Sequence, residues 1–483
     1  MGKDSNIQEA RMRSLPRTKI VCTIGPGCDT LETLTSMITA GMSVARMNFS
    51  HGTHGEHRTR IETVRKAAQQ AGRAVGILAD LQGPKIRIGE LNAAAYPVIA
   101  GQLLRITTRE LVGDGKTVST SYPAFVADVS PGDSVLIDDG KLRFEVIKKT
   151  DDTVDCVALN DGELKPHKGI NLPGVALSTS SLTEKDRADM AFALTHGVDF
   201  VAVSFVRHPE DVQMAREAMG ERKVPLIAKI ERPEALDHIE KIVEASDGVM
   251  VARGDLGIEI PLEDVPYQQK RVISLANDRG RFVITATQML ESMIQSPSPT
   301  RAEVTDISTS ILDGSDAIML SGETAVGRYP VKAVETMARV AKATEKMLPP
   351  VVMDELENAT RDGRVDRAIA ISATVISEVS DVVGIAAFTE SGHTALMISK
   401  QKPMVPIFGL TSHPGCARRL AMYRGVIPVL IQPVNNTDQL FQMVGETLKK
   451  IGMVQPGDQV AVTMGLPFGE TGTTNLLHVM VIE

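Results

Sequence analysis

From Thr18 to about residue 347 the chain repeats one pattern: a short apolar run, a tight turn, then a segment with helical periodicity. The apolar runs are 19–25, 43–49, 74–81, 200–205, 226–230, 248–253, 282–287 and 317–320. Helical patterns follow near 30–40, 54–71, 183–196, 208–219, 232–245, 263–279, 300–313 and 330–347. Eight alternating units describe a (β/α)8 barrel, an α/β fold that gathers its functional groups at the C-terminal ends of its strands. Helix starts are well marked. Thr183 precedes Glu184 and Asp186, and Thr300 with Glu303 resembles a capping box.

One interval breaks the rhythm. Residues 89–173 hold short alternating runs and turn pairs such as Asp139-Gly140 and Asp161-Gly162, with no convincing helix. That predicts an inserted all-β lid domain, hung over the face where barrel chemistry occurs. The barrel is therefore expected over 18–88 and 174–348, after a polar N-terminal arm at 1–17. Beyond Pro349-Pro350 strands and helices alternate anew, and 349–483 reads as a separate C-terminal α/β domain. A chain of 483 residues is long enough for this division. A net charge of −8 gives no reason to expect nucleic acid, and no segment is apolar enough to span a membrane. The four cysteines form no CxxC pair, which fits a reducing cytoplasm.

The strand ends carry the charges. The second run ends in Arg46-Met-Asn-Phe-Ser-His51 and the third in Asp80-Leu-Gln-Gly-Pro-Lys-Ile-Arg87. The fourth ends in Ser204-Phe-Val-Arg207, the fifth in Lys229-Ile-Glu231 and the sixth in Arg253-Gly-Asp255. Thr287 closes the seventh, and Leu320-Ser-Gly-Glu-Thr324 follows the eighth. Any one of these charges suits a surface salt bridge. The whole set, with strand interiors left clean, suits a divalent metal and a phosphorylated substrate. Glu231 and Asp255 can hold Mg²⁺ or Mn²⁺, while Arg46, Arg87 and Lys229 face phosphoryl oxygens. Gly254 lets backbone N–H groups approach an anion closely.

In this order the motifs resemble those of the pyruvate kinase family, from about Thr18 to Glu483. The most specific are Lys229-Ile-Glu231, Val249-Met-Val-Ala-Arg-Gly-Asp-Leu-Gly257, Ala286-Thr-Gln-Met-Leu-Glu-Ser292 and Leu320-Ser-Gly-Glu-Thr324. The resemblance implies conversion of phosphoenolpyruvate and ADP to pyruvate and ATP. It implies that Arg46 binds the substrate phosphate, that Lys229 stabilises the phosphoryl group in transit, and that Glu231 and Asp255 ligate Mg²⁺. The turn of Ala252, Arg253, Gly254 and Asp255, with Thr287, is expected to hold the substrate carboxylate. Arg87 and His51 are expected near the nucleotide phosphates, together with Asn48 and His208. Ser321 or Thr287, through water, would relay a proton to the enolate carbon, since a hydroxyl alone is a poor acid.

Two departures matter. Many family members surround an activating K⁺ with residues matching Asn48, Ser50 and Asp80 and a threonine; that threonine is Leu81 here, and a glutamate expected four residues later is Lys85. The pair resembles the K⁺-independent branch, so no K⁺ requirement is expected. His208 stands where the family often has lysine, which makes that charge pH-dependent. In the C-terminal domain Thr389, Ser391, Gly392, His393 and Thr394 lie between a strand and a helix, a ready phosphate cradle. The resemblance implies a sugar phosphate or nucleotide effector there, closed over by 469–474, and a homotetramer. A Mg²⁺-dependent barrel lyase or aldolase acting on a pyruvate enolate is the rival, but it has no use for Arg87 or the lid.

Overall fold

The computed structural model describes residues 15–348, 364–434, 436–467 and 474–483. The expected arm before Leu15, the Pro349-Pro350 break and the 469–473 loop lie outside the described residues. Eight parallel strands close a barrel: Lys19–Thr23, Met42–Asn48, Gly76–Asp80, Phe200–Val203, Leu226–Ile230, Gly248–Ala252, Phe282–Ala286 and Ala317–Leu320. Each pairs with its sequence neighbour among these eight, and the first closes on the last with Lys19 opposite Ala317. These strands are buried on both faces, which is why they read as continuous apolar runs rather than alternating ones.

Helix starts follow the capping chemistry. Thr53, Thr183 and Thr300 each accept the backbone N–H three residues on, and Glu56, Asp186 and Glu303 reach back to the cap. Three segments of the barrel differ from the sequence expectation. The helix expected over 232–245 is two, Pro233–Asp237 and Ile239–Ala245, because His238 leaves the helical region (φ −109°, ψ 15°). The turn expected at 252–255 is instead the end of the sixth strand and the first turn of a short helix, Arg253–Glu259. Gly254 and Gly257 disfavour a helix by propensity, and burial of Leu256 overrides them. The seventh strand stops at Ala286, so Thr287 lies beyond it with φ +68°.

The insertion after the third strand forms a six-stranded sheet and a two-stranded one around their own core of Ile106, Phe144, Val146 and Cys156. It contains one helical turn that the sequence reading missed, Phe125–Asp128, which buries Phe125 and Val126. The C-terminal part is a five-stranded mixed sheet with helices, and it plugs the foot of the barrel. The Phe282 ring lies 5.9 Å from Phe200 and 5.8 Å from Tyr423 of the C-terminal part, so the two cores are continuous. No helix among the described residues is long and apolar enough to cross a membrane.

Candidate active site

The mouth of the barrel is built on three acids and two cations. Lys229, in the fifth strand, sends its ammonium to Ser204 Oγ at 2.6 Å, Glu231 Oε1 at 2.9 Å and Asp80 Oδ1 at 3.2 Å. Arg46 donates to Asp80 Oδ2 at 2.6 Å and to Thr23 Oγ1 at 2.8 Å. Asp80 thus bridges the two cations while only 1% exposed. Burial alone would raise its carboxyl, but Lys229 and Arg46 outweigh burial and hold it below the usual carboxylate range. Burial likewise opposes the Lys229 ammonium, yet Asp80 and Glu231 win and keep it protonated.

Glu231 has the opposite balance. It is pushed up by burial first, Lys229 pulls it down, and the neighbouring Asp255 pushes it up again. Two carboxylates that repel one another in a buried mouth are a fit for a divalent cation, which would relieve both. Among the described residues no group of three or more metal-ligating side chains gathers. Two acids suit Mg²⁺, which keeps several water or substrate oxygens in its shell.

Backbone geometry fixes these groups. Phe205 adopts φ +55° and aims its N–H at Glu231 Oε2, 2.7 Å away. Thr287 and Gln288 also have positive φ, so strained backbone marks two strand ends of the same mouth. Thr287 Oγ1 accepts the Gly254 N–H at 2.8 Å, which joins the seventh strand's exit to the helix bearing Asp255. Arg253 does not point into the mouth: it holds Asp306 through two bonds of 2.5 and 2.7 Å and donates to Thr287 O. Ala252 is buried at the strand end. The Ser321 N–H donates to Glu323 Oε2 at 2.6 Å.

The remaining candidates spread outward. Asn48 Oδ1 accepts the Ser50 N–H, and Leu81 is buried in the barrel core. Arg87 donates to His167 O of the insertion, and its backbone bridges Gly169, so it stands at the junction of barrel and insertion. His51 lies exposed above the second strand; partial burial, then the nearby Lys85, Arg87 and Arg46 charges lower its pKa. Lys85 is half-buried, with no carboxylate pairing it among the described residues. His208 packs its ring 4.8 Å from His238.

In the C-terminal sheet, the Gly392 N–H donates to Thr389 Oγ1, His393 bonds Asp366 and Thr394 bonds Thr474. The Ser391 Oγ accepts the His393 N–H at 3.4 Å. Sequence reasoning assigned no part to Ser204, Thr23, Asp306 or Glu323. Ser204 was visible as a strand-end residue, whereas Asp306 sits mid-helix with nothing in its neighbours to mark it.

The fold is a (β/α)8 barrel whose mouth gathers three acids and two cations, an arrangement that suits an enzyme of anionic substrates. Residues 15–334 match the family model described as pyruvate kinase, barrel domain, and residues 367–480 that described as pyruvate kinase, alpha/beta domain. A pyruvate kinase of Geobacillus stearothermophilus is 44% identical over 97% of this chain and 80% of its own length. One of Mycobacterium tuberculosis is 44% identical over 96% of this chain and 98% of its own. The crystal structure of a pyruvate kinase from Cryptosporidium parvum superposes with a TM-score of 0.91 at 37% identity, covering both chains fully. The chain belongs to the pyruvate kinase family and is a phosphotransferase.

Proposed function

We propose that the barrel mouth moves the phosphoryl group of phosphoenolpyruvate to ADP, with Glu231 and Asp255 holding Mg²⁺ or Mn²⁺. The observation that carries this is the buried ammonium of Lys229 set among Asp80, Glu231 and Ser204, beside Arg46. A divalent ion there supplies charge neutralisation for the phosphoryl oxygens. Arg46 and Lys229 hold the transferring group as its bond to the enol oxygen breaks and a bond to the ADP oxygen forms. The turn of Ala252, Arg253, Gly254 and Asp255, with Thr287, holds the substrate carboxylate once the Gly254 N–H and the Thr287 hydroxyl exchange their present partners for it. Ser321 or Thr287, through water, then delivers a proton to the enolate carbon. Residues 89–173 act as a lid that brings the nucleotide, with Arg87 and His51 on its phosphates and His208 contributing a weaker, pH-dependent contact.

Lys85 replaces the activating K⁺. It has no partner carboxylate among the described residues, and Leu81 offers no side-chain oxygen to a cation, its carbonyl accepting from Ser204 Oγ at 2.7 Å. The loop of Thr389, Ser391, Gly392, His393 and Thr394 binds a phosphorylated metabolite that activates a homotetramer, through 349–483 as the regulatory domain. One coupled assay tests these points: pyruvate release from phosphoenolpyruvate should need ADP and a divalent metal. It should be unchanged by KCl in tetramethylammonium buffer, and sugar phosphates or nucleoside monophosphates should lower the half-saturating phosphoenolpyruvate. No ADP-dependent release would overturn the function; a many-fold KCl stimulation would overturn only the role of Lys85.

A further inference from the structure

One buried guanidinium ties the inserted domain to the two acids of the mouth. Arg232 directly follows Glu231 and is 2% exposed. Its Nη1 lies 2.9 Å from Glu259 Oε1, and its Nη2 donates to Glu234 Oε1 at 2.9 Å and to Val175 O at 3.0 Å. Its Nε reaches Glu234 Oε2 at 3.2 Å. Glu259 ends the short helix whose first turn carries Asp255, and its Oε1 also accepts from Asn171 Nδ2 at 3.3 Å. Asn171 lies in the last strand of the insertion, paired with Leu136, and Val175 packs into the insertion's core.

The Arg232–Glu259 pair therefore touches both metal-bearing segments and the return path of the insertion. A pair serving the barrel alone would stay within it. This one binds a backbone carbonyl and an amide side chain that pack or pair with the insertion. It also keeps one acceptor in reserve: Glu259 Oε2 is buried without a hydrogen-bond partner among the described residues. A buried carboxylate oxygen left open is costly unless water or a second arrangement uses it. The Asn171 amide, already on Oε1, can reach the other oxygen by a small shift, which gives the junction two discrete arrangements.

We infer that Arg232, Glu259 and Asn171 form a latch that sets the stance of the lid against Glu231 and Asp255. They are positioning residues and touch no substrate. The inference rests on the reading of 89–173 as a nucleotide-bringing lid. Losing the latch should impair the lid-borne substrate and spare the barrel-borne one.

The test is Arg232→Met and, on the insertion alone, Asn171→Asp, which sets a second carboxylate against Glu259. Both should raise the KM for ADP about fivefold or more, while phosphoenolpyruvate binding with Mn²⁺ and no ADP stays within about twofold. A double variant of Arg232→Met with Asn171→Ala, which removes the amide without adding a charge, should be no worse than Arg232→Met alone, because both changes break one latch. Asn171→Asp leaves the barrel's own side chains intact, so it decides the matter if Arg232→Met does not fold. An unchanged ADP KM in Asn171→Asp overturns the latch, as does an equal rise in both substrate constants. Wild-type protein lacking ADP-dependent turnover would instead sink the functional reading itself.

Discussion

In the proposed reaction Lys229 is the residue on which the chemistry turns, and its surroundings say how. Its ammonium contacts two carboxylates and a hydroxyl, yet it stays charged because Asp80 and Glu231 together outweigh burial. A fixed positive charge in a dry mouth costs no reorganisation when the phosphoryl group arrives. Lys229→Met should lower kcat by about 10²–10³-fold. Divalent binding, followed by Mn²⁺ titration, should not weaken, because Glu231 loses the cation that competes for its lone pairs. Turnover near wild type would refute the role given to Lys229. Asp80 shows how position can mislead: grouped by sequence with a monovalent-cation region, it is also the counter-ion that holds Arg46 and Lys229 together.

At the scale of elements, the fourth strand's exit depends on the loop that follows the third. Gly83 has φ +70°, and a Cβ there would meet Phe205 Cδ2 at 2.8 Å and Ser204 Cβ at 3.0 Å. Ser204 bonds Lys229, and the Phe205 N–H bonds Glu231. Gly83→Ala adds both strain and a clash, so it should destabilise by about 1–3 kcal/mol and displace these two bonds. Thermal melting and kcat measured together check it: a lower melting temperature with unchanged kcat would show that the loop yields without moving the strand end. The short helix Arg253–Glu259 teaches a related lesson. Its two glycines hide it from propensity, while burial of Leu256 and the bonds from Arg253 to Asp306 secure it.

For the whole molecule, the C-terminal domain is tied to the barrel foot by one buried and one partly exposed ion pair as well as by the shared core. Lys400 lies 2.6 Å from Asp316, which also accepts the Val283 N–H, and Arg418 lies 2.7 Å from Asp199. Lys400→Met would leave Asp316 buried without its cation, a change that typically costs about 3–5 kcal/mol. Calorimetry should show the melting transition lowered or split into two; a single transition at the wild-type temperature would refute the lock. Lys400 ends the helix that begins at His393, and Asp316 precedes the strand that leads to Ser321. The proposed effector loop thus has a stiff connection to the mouth.

The alternation of apolar runs and helical periods was enough to specify the barrel, because strands buried on both faces and amphipathic helices leave different marks in sequence. Charges at strand ends were equally legible, since an unpaired ion has no place inside a barrel. Pairing among them was not. That Ser204 steadies Lys229, that Arg253 turns away to Asp306, and that Arg232 joins the insertion to Glu259 all depend on contacts between residues 25 to 88 positions apart. Such contacts follow from barrel closure, which brings distant strand ends within hydrogen-bond reach. Local sequence decided where the charged groups would gather; only the closed tertiary structure decided which of them would meet.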